Sequence, residues 1–426
     1  MTAASTVEIA VVMSRFPKFT ETFVVNEILG LERHGIKVHI HPLLAKQPGP
    51  HQPSAVALIE RAHYGRAWSI QAIVALFQLL LTRPRSLASI VGRLVADTWR
   101  SPSMMLKDLY LLPRICAIAD ELAKSNVSHI HAHFLTHGGF AAWVLGRLTG
   151  LPYSVVAHGS DVHRHRAMMK TKVAEAAFIA AISEYNRAVI DEECGPVGRV
   201  EIVHCGVDVS HIVPASATDR APSPLVVCVG TLHEVKGQRY LVEAAAELKR
   251  RGRRIDVELV GDGPDRSMLA DLAARLGVDD RVELVGPLDH HEVIERYKRA
   301  HVMVAPSVAS RDGRREGIPT VIMEAMAAGT PVVASDLSGI PELVVHEESG
   351  LLTTPGDSNA IADAIERILA NPKLAERLAG NANRTVREAF DLGRTTARLA
   401  ELMNAVAAPP VVDTGLSGDV VTHHAH

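Results

Sequence analysis

Short runs rich in Val, Ile and Leu recur through this chain, most of them followed by a longer amphipathic stretch, and that alternation restricts the possible folds more than any other feature. Such runs read as strands buried on both faces, the mark of parallel sheets covered by helices. In the first half they fall at 7–13, 38–43, 129–132, 153–157, 178–182 and 200–203. In the second half they fall at 225–229, 255–260, 282–285, 302–305, 331–334 and 351–353. The spacing predicts helices over 238–251, 264–276, 291–300 and 359–370 between them. Two such series predict an α/β chain of two Rossmann-like, doubly wound parallel-sheet domains facing across a cleft. At 426 residues there is room for about two to three domains of ~150 residues.

The segment 209–224, VSHIVPASATDRAPSP, is rich in Pro, Ser and Ala and has no hydrophobic period, so it reads as a linker. It divides a first domain over 1–208 from a second over 225–390. Residues 53–122 carry a helical pattern without strands and read as an insertion in the first domain. A last helical stretch at 391–408 is expected to pack back on the first domain, and the polar tail 409–426, ending HHAH, to be disordered.

Composition excludes several classes. Lys plus Arg number 45 and Asp plus Glu 48, so the chain lacks the basic excess of a nucleic-acid binder. Cys116, Cys194, Cys205 and Cys228 are scattered, which fits free thiols in a reducing compartment. The opening MTAASTVEIAVVMSRFPK has no basic n-region or apolar h-region, so no secretory signal is expected. The longest apolar stretch, 70–81, is interrupted by Gln71 and Gln78 and is too short to span a bilayer. A soluble, cytoplasmic protein is expected. No GxGxxG follows either first strand, which argues against an NAD-dependent oxidoreductase. The insertion carries Arg61, Arg66, Trp68, Phe77, Leu79, Leu80, Arg83 and Arg85, and two readings stand. Its apolar residues pack within the domain, or they form a peripheral surface on the inner face of the cytoplasmic membrane.

Ligands of doubly wound folds sit beyond the carboxyl ends of the strands. The most informative segment there is 306–335, PSVASRDGRREGIPTVIMEAMAAGTPVVAS. A polar loop leads to Glu316, and a helix is expected to open at Gly317, Ile318 and Pro319, since proline is tolerated in a first turn. A helix start presents free amides and a positive dipole end, which suit a phosphate. Glu324 is the lone charge in the apolar run that follows, and a carboxylate there needs donors: ligand hydroxyls, or a nearby Arg or backbone amide.

Glu316 and Glu324 enclose seven residues, and EGIPTVIMEAMAAGTPVVAS resembles the signature of GT-B glycosyltransferases of family 4. The resemblance implies a GT-B fold in which Glu316 contacts the transferred sugar, Glu324 holds the nucleotide ribose, and the amides of Gly317 and Ile318 bind the diphosphate. VVCVGTLHEVKG supplies Gly230, Thr231 and Lys236, the lysine neutralising the leaving diphosphate. VELVGDGP supplies Gly261 and Gly263, which let backbone approach the nucleotide, and SDLSGIPELV is similar to the family's late loop with Gly339 and Glu342. The family usually has Arg where this chain has Thr231; Arg314 or Arg315 stand as candidates to supply that charge.

FPKFTETFVVNEI and HAHFLTHGGFAAWVLGRLTGLPYSVVAHGSDV resemble the branch containing colanic-acid and other exopolysaccharide glycosyltransferases. There Thr20 caps a helix beginning at Glu21, and residues 14–21 line the acceptor side of the cleft. His158, beside Gly159 and Asp161, ends the fourth strand; it can hydrogen-bond a sugar hydroxyl or carry a proton, or it is a core histidine satisfied by backbone. His129, His131 and His133 share one face of a strand and are read as packing or supporting residues, with no metal.

The function these features imply is retaining transfer of a sugar from a UDP- or GDP-sugar to a hydroxyl of a sugar, glycolipid or polyprenyl-linked acceptor. The catalytic group is Glu316, His158 and Lys236, without metal or other cofactor. A nucleotide-sugar epimerase of the same fold and a non-catalytic nucleotide-sugar-binding partner are the alternatives.

Overall fold

The computed structural model describes residues 7–18, 21–46, 53–195 and 198–407. The first sheet contains β1 (Glu8–Met13), β2 (Lys37–Pro42), β3 (His129–His133), β4 (Tyr153–Ala157), β5 (Phe178–Ala181) and β6 (Val200–Ile202), in the spatial order β2-β1-β3-β4-β5-β6. The second contains β7 (Leu225–Val229), β8 (Asp256–Val260), β9 (Val282–Gly286), β10 (Val302–Ala305), β11 (Val332–Ser335) and β12 (Leu351–Thr353), in the order β12-β11-β10-β7-β8-β9. All pairings are parallel. Their inner residues are fully buried because helices cover both faces: Ile9 and Val11 face one layer, Ala10 and Val12 the other.

Strand order reverses at β1 in the first sheet and at β7 in the second, and ligands of such folds bind where it reverses. The loops after β7 and β10 therefore frame the second domain's site, and those after β1 and β3 the facing wall.

Between β2 and β3 lies the helical insertion, whose long members are Ile70–Thr82, Pro84–Thr98 and Pro102–Leu122. Ser69 caps the first, accepting from the Ala72 amide at 3.2 Å. The helix Leu392–Val406 returns to pack on Thr22–Arg33 of the first domain. The tail 409–426 lies outside the described residues.

Candidate active site

Gly230 closes β7 with φ 150°, and Gly261 follows β8 with φ 132°. A Cβ on Gly261 would stand 2.1 Å from the Gly230 carbonyl oxygen, and one on Gly263 2.3 Å from that of Leu232. At these two glycines, close approach joins neighbouring turns to each other. Thr231 is exposed, and its carbonyl accepts from the Gln238 side chain at 3.0 Å.

The turn after β7 carries Lys236 to Glu316. Its Nζ lies 2.7 Å from Glu316 Oε1 and 2.9 Å from Oε2, and Ser307, just past β10, donates to Glu316 at 3.1 Å. Both side chains are largely covered, at 21% and 15% exposed, so Lys236 is not a solvated surface lysine. The helix Thr320–Ala327 opens later than expected: Pro319 is its N-cap with extended ψ of 125°, and Gly317 and Ile318 form the bend before it. The amides of Gly317 and Ile318 donate to no acceptor among the described residues. A cation beside two free amides is a seat for an anion.

Glu324 sits inside that helix, 14% exposed, and its neighbour is His290 at 3.6 Å rather than an arginine or a backbone amide. The nearby Glu324 carboxylate raises the His290 pKa above its usual 6.5. The two arginines proposed to replace the missing charge are engaged elsewhere. Arg314 binds Asp312 at 3.1 Å, and Arg315 reaches the Tyr185 hydroxyl of the first domain at 2.8 Å.

On the facing wall the turn after β4 meets the loop that carries Glu316. A Cβ on Gly159 would stand 3.4 Å from the Gly317 nitrogen, and one on Gly317 would meet Ile182. Glu342 adds a contact between domains: its two oxygens accept the amides of Glu184 and Tyr185 at 2.8 and 2.9 Å. Those amides open the helix Glu184–Cys194, so a carboxylate of one domain caps a helix of the other.

His158 is buried, packed between Phe23 and Phe134 with ring centroids 4.6 and 4.4 Å away. Its Nε2 is 3.3 Å from His133 Nδ1, and its Nδ1 is 4.0 Å from the Cys205 sulfur. Both nitrogens thus have side-chain partners, the sulfur contact being the weaker, which differs from a histidine satisfied by backbone. Asp161 is buried, and its Oδ2 accepts the amides of Leu135 and His158 at 2.8 and 3.2 Å, tying the turn to the end of β3. Glu21 precedes the helix Thr22–Arg33 and pairs with Lys18 at 2.7 Å. Burial raises its pKa. Thr20, expected to cap that helix, lies outside the described residues.

The three alternating histidines are fully buried, and burial drives the pKa of His129 and His131 down to about 3 and of His133 to about 4. His131 and His133 both lie against Glu27, which the sequence reading passed over. The signal was present: Val24, Ile28 and Leu31 face inward, and position 27 falls on the same helical stripe. Ser307 and Tyr185 were also missed, because pairing across distant loops leaves no local pattern.

The region 215–385 matches the family model for glycosyl transferases group 1, and 20–211 the model for glycosyltransferase family 4. The amylovoran biosynthesis glycosyltransferase AmsK of Erwinia amylovora is 27% identical over 92% of this chain and 98% of its own length. A putative colanic acid biosynthesis glycosyltransferase, WcaL of Escherichia coli (strain K12), is 28% identical over 82% of this chain and 88% of its own. Among solved structures, Anabaena HepE in complex with UDP superposes with a TM-score of 0.71 at 19% identity, covering 94% of this chain and 100% of that one. With the lysine and two glutamates of the signature at the switch point of the second sheet, and with models matching both halves, the chain belongs to the GT-B glycosyltransferases of family 4.

Proposed function

We propose that this glycosyltransferase moves a hexose from a UDP- or GDP-sugar to a hydroxyl of a cell-surface polysaccharide precursor or a glycolipid, retaining the anomeric configuration. The observation that carries this is the Lys236–Glu316–Ser307 cluster beside the free amides of Gly317 and Ile318. The named roles of AmsK and WcaL in polysaccharide synthesis, and the UDP and UDP-glucose in structures of HepE, support the substrate classes. In the step itself the bond between the anomeric carbon and the diphosphate oxygen breaks, and the acceptor oxygen bonds on the same face. The acceptor proton passes to the departing diphosphate, whose charge Lys236 and the two amides balance. Glu316 orients Lys236 and meets the sugar, and Glu324 accepts from the ribose.

The test is incubation with UDP-, GDP- and ADP-sugars and a hydroxyl acceptor, with NMR of the product's anomeric proton. Transfer with retention, lost in Glu316→Ala, is the expected result. Conversion of the donor without acceptor would identify an epimerase, and binding without turnover a non-catalytic partner.

The acceptor reading extends to the membrane. On the helix Ile70–Thr82, Ala72 and Ala75 face inward while Ile70, Ile73, Val74, Phe77, Leu80 and Leu81 face out, with Phe77 62% and Leu81 75% exposed. Trp68 extends this face to Tyr110, 6.5 Å away. Residues 61–96 contain five arginines and no acidic residue, with Arg66 and Arg85 exposed. An apolar face with a cationic margin suits an anionic bilayer surface. Among the described residues no single helix is long and apolar enough to cross a membrane, and Ile70–Thr82 meets Pro84–Thr98 at a bend of 109°. Cosedimentation with phosphatidylglycerol vesicles, weak with phosphatidylcholine and lost in Phe77→Asp/Leu81→Asp, is the expected result. Equal recovery with both vesicle types, or with both proteins, contradicts it.

A further inference from the structure

The helix Thr22–Arg33 lays Glu27 against the end of β3, where His131 and His133, two residues apart, point to the same side. Both imidazoles are fully buried and the Glu27 side chain is largely covered. Their Nε2 atoms converge on one carboxylate oxygen: Glu27 Oε1 is 3.1 Å from that of His131 and 3.3 Å from that of His133. His131 Nε2 shares a hydrogen bond with this oxygen. His133 Nε2 does not, and among the described residues this buried nitrogen has no hydrogen-bond partner. A buried polar atom left alone is costly, and a bound ion is one of the few things that relieves it.

The spacing fits a small cation. A tetrahedral zinc ion with bonds of about 2.0–2.1 Å sets its ligand atoms about 3.3–3.4 Å apart. The two edges that meet at Glu27 Oε1 are 3.1 and 3.3 Å, and all three ligand atoms lie within 4.8 Å of one another. Neutral imidazole is the form that ligates, and burial keeps both rings uncharged. The far side of each ring is held as a ligand's would be. His131 Nδ1 lies 2.8 Å from Ser154 Oγ and His133 Nδ1 3.3 Å from His158 Nε2, so each ring can keep its proton on Nδ1 and turn a bare Nε2 to the ion. Ser154 then gives its own proton to His129 Nε2, at 2.7 Å. Only the bond between His131 and Glu27 gives way, the cation taking the place of the proton. Glu27 also borders a cavity of about 10 Å³, room for one water, the fourth ligand that a three-residue site takes. Two nitrogens and a carboxylate suit zinc, whereas magnesium and calcium take oxygen ligands.

We infer that Glu27, His131 and His133 bind a divalent, zinc-like cation that ties the helix Thr22–Arg33 to the end of β3. The site is argued independently of the transfer step proposed above. A proton on Glu27, held against His133, is the rival occupant of the same space.

The test is cobalt(II) titration of the full-length chain, stripped of metal with a chelator. This parent chain carries His423→Ala, His424→Ala and His426→Ala, which removes the tail histidines as competing ligands. One equivalent should bind with the strong visible absorption of a four-coordinate ion, and zinc should displace it. Glu27→Gln and His133→Ala, checked for folding by circular dichroism, should each weaken binding at least ~10-fold. Zinc should raise the unfolding midpoint of the parent and leave that of Glu27→Gln unmoved. If neither variant folds, the stoichiometry and spectrum of the parent decide alone. The weak spectrum of a six-coordinate ion, or equal affinity in the parent and Glu27→Gln, overturns the inference. No uptake overturns it in favour of the proton.

Discussion

Gly237 stands between Lys236 and the helix Gln238–Arg250 with φ 66°, in the left-handed region. A Cβ there would lie 1.9 Å from the Pro306 carbonyl oxygen and 2.9 Å from its carbon, both backbone atoms. Replacing Gly237 with alanine therefore forces two main-chain segments apart by about 1 Å, since contacts under 3.0 Å are essentially never seen. Gly277 is a matched control: it has φ 64°, and a Cβ there meets nothing within 4 Å. Gly277→Ala carries only the left-handed penalty of about 1–2 kcal/mol. Gly237→Ala adds an overpacking cost of about 1–3 kcal/mol. For a domain near 166 residues that extra term lowers Tm by roughly 2–12 °C more than the control, at ~2–4 °C per kcal/mol. Pro306 precedes Ser307, which bonds Glu316, so donor affinity should fall at least ~10-fold in Gly237→Ala and hold in Gly277→Ala. Calorimetry and far-UV circular dichroism read the transitions. Trp68, Trp99 and Trp143 all lie in the first domain, so tryptophan fluorescence follows that domain as an internal reference. Equal midpoints and equal donor affinities for the two variants refute the reasoning.

Glu342→Ala removes both acceptors from the first turn of Glu184–Cys194, a loss of about 1.5–3 kcal/mol at the contact between domains. Small-angle scattering should show a larger radius of gyration, and an unchanged value contradicts the capping role. Glu324→Gln should return the His290 titration from its raised position toward 6.5, because the Glu324 carboxylate is the main cause of the shift. Saturating nucleotide sugar should move it the same way if ribose takes over Glu324, and an NMR titration that is unmoved in both cases contradicts the assignment.

How much of this was legible in the sequence depended on the range of each interaction. The strands declared themselves because parallel strands buried on both faces need continuous apolar runs, and 153–157 or 302–305 has no other use for one. The glutamates and Lys236 were legible as a spaced signature, and the fold brings Lys236 to Glu316. The helix start was misplaced because proline serves at an N-cap as well as inside the first turn, and here extended ψ at Pro319 delays the helix to Thr320. Arg314 and Arg315 were matched to the gap at Thr231 by charge alone, whereas Asp312 and Tyr185 decide where they point. The contacts of Glu27 with His133 and of Glu342 with Glu184 join residues 106 and 158 positions apart, and only the packed chain shows them.

Calorimetric titration of wild type and Lys236→Ala with UDP- and GDP-sugars asks most directly whether the covered lysine–glutamate pair grips an activated sugar. Wild type should bind one of these donors, and the variant should bind it about 10- to 150-fold more weakly, as loss of a charged hydrogen bond of roughly 1.5–3 kcal/mol requires. Indistinguishable affinities in the two proteins, or no heat with any nucleotide sugar, would contradict the account.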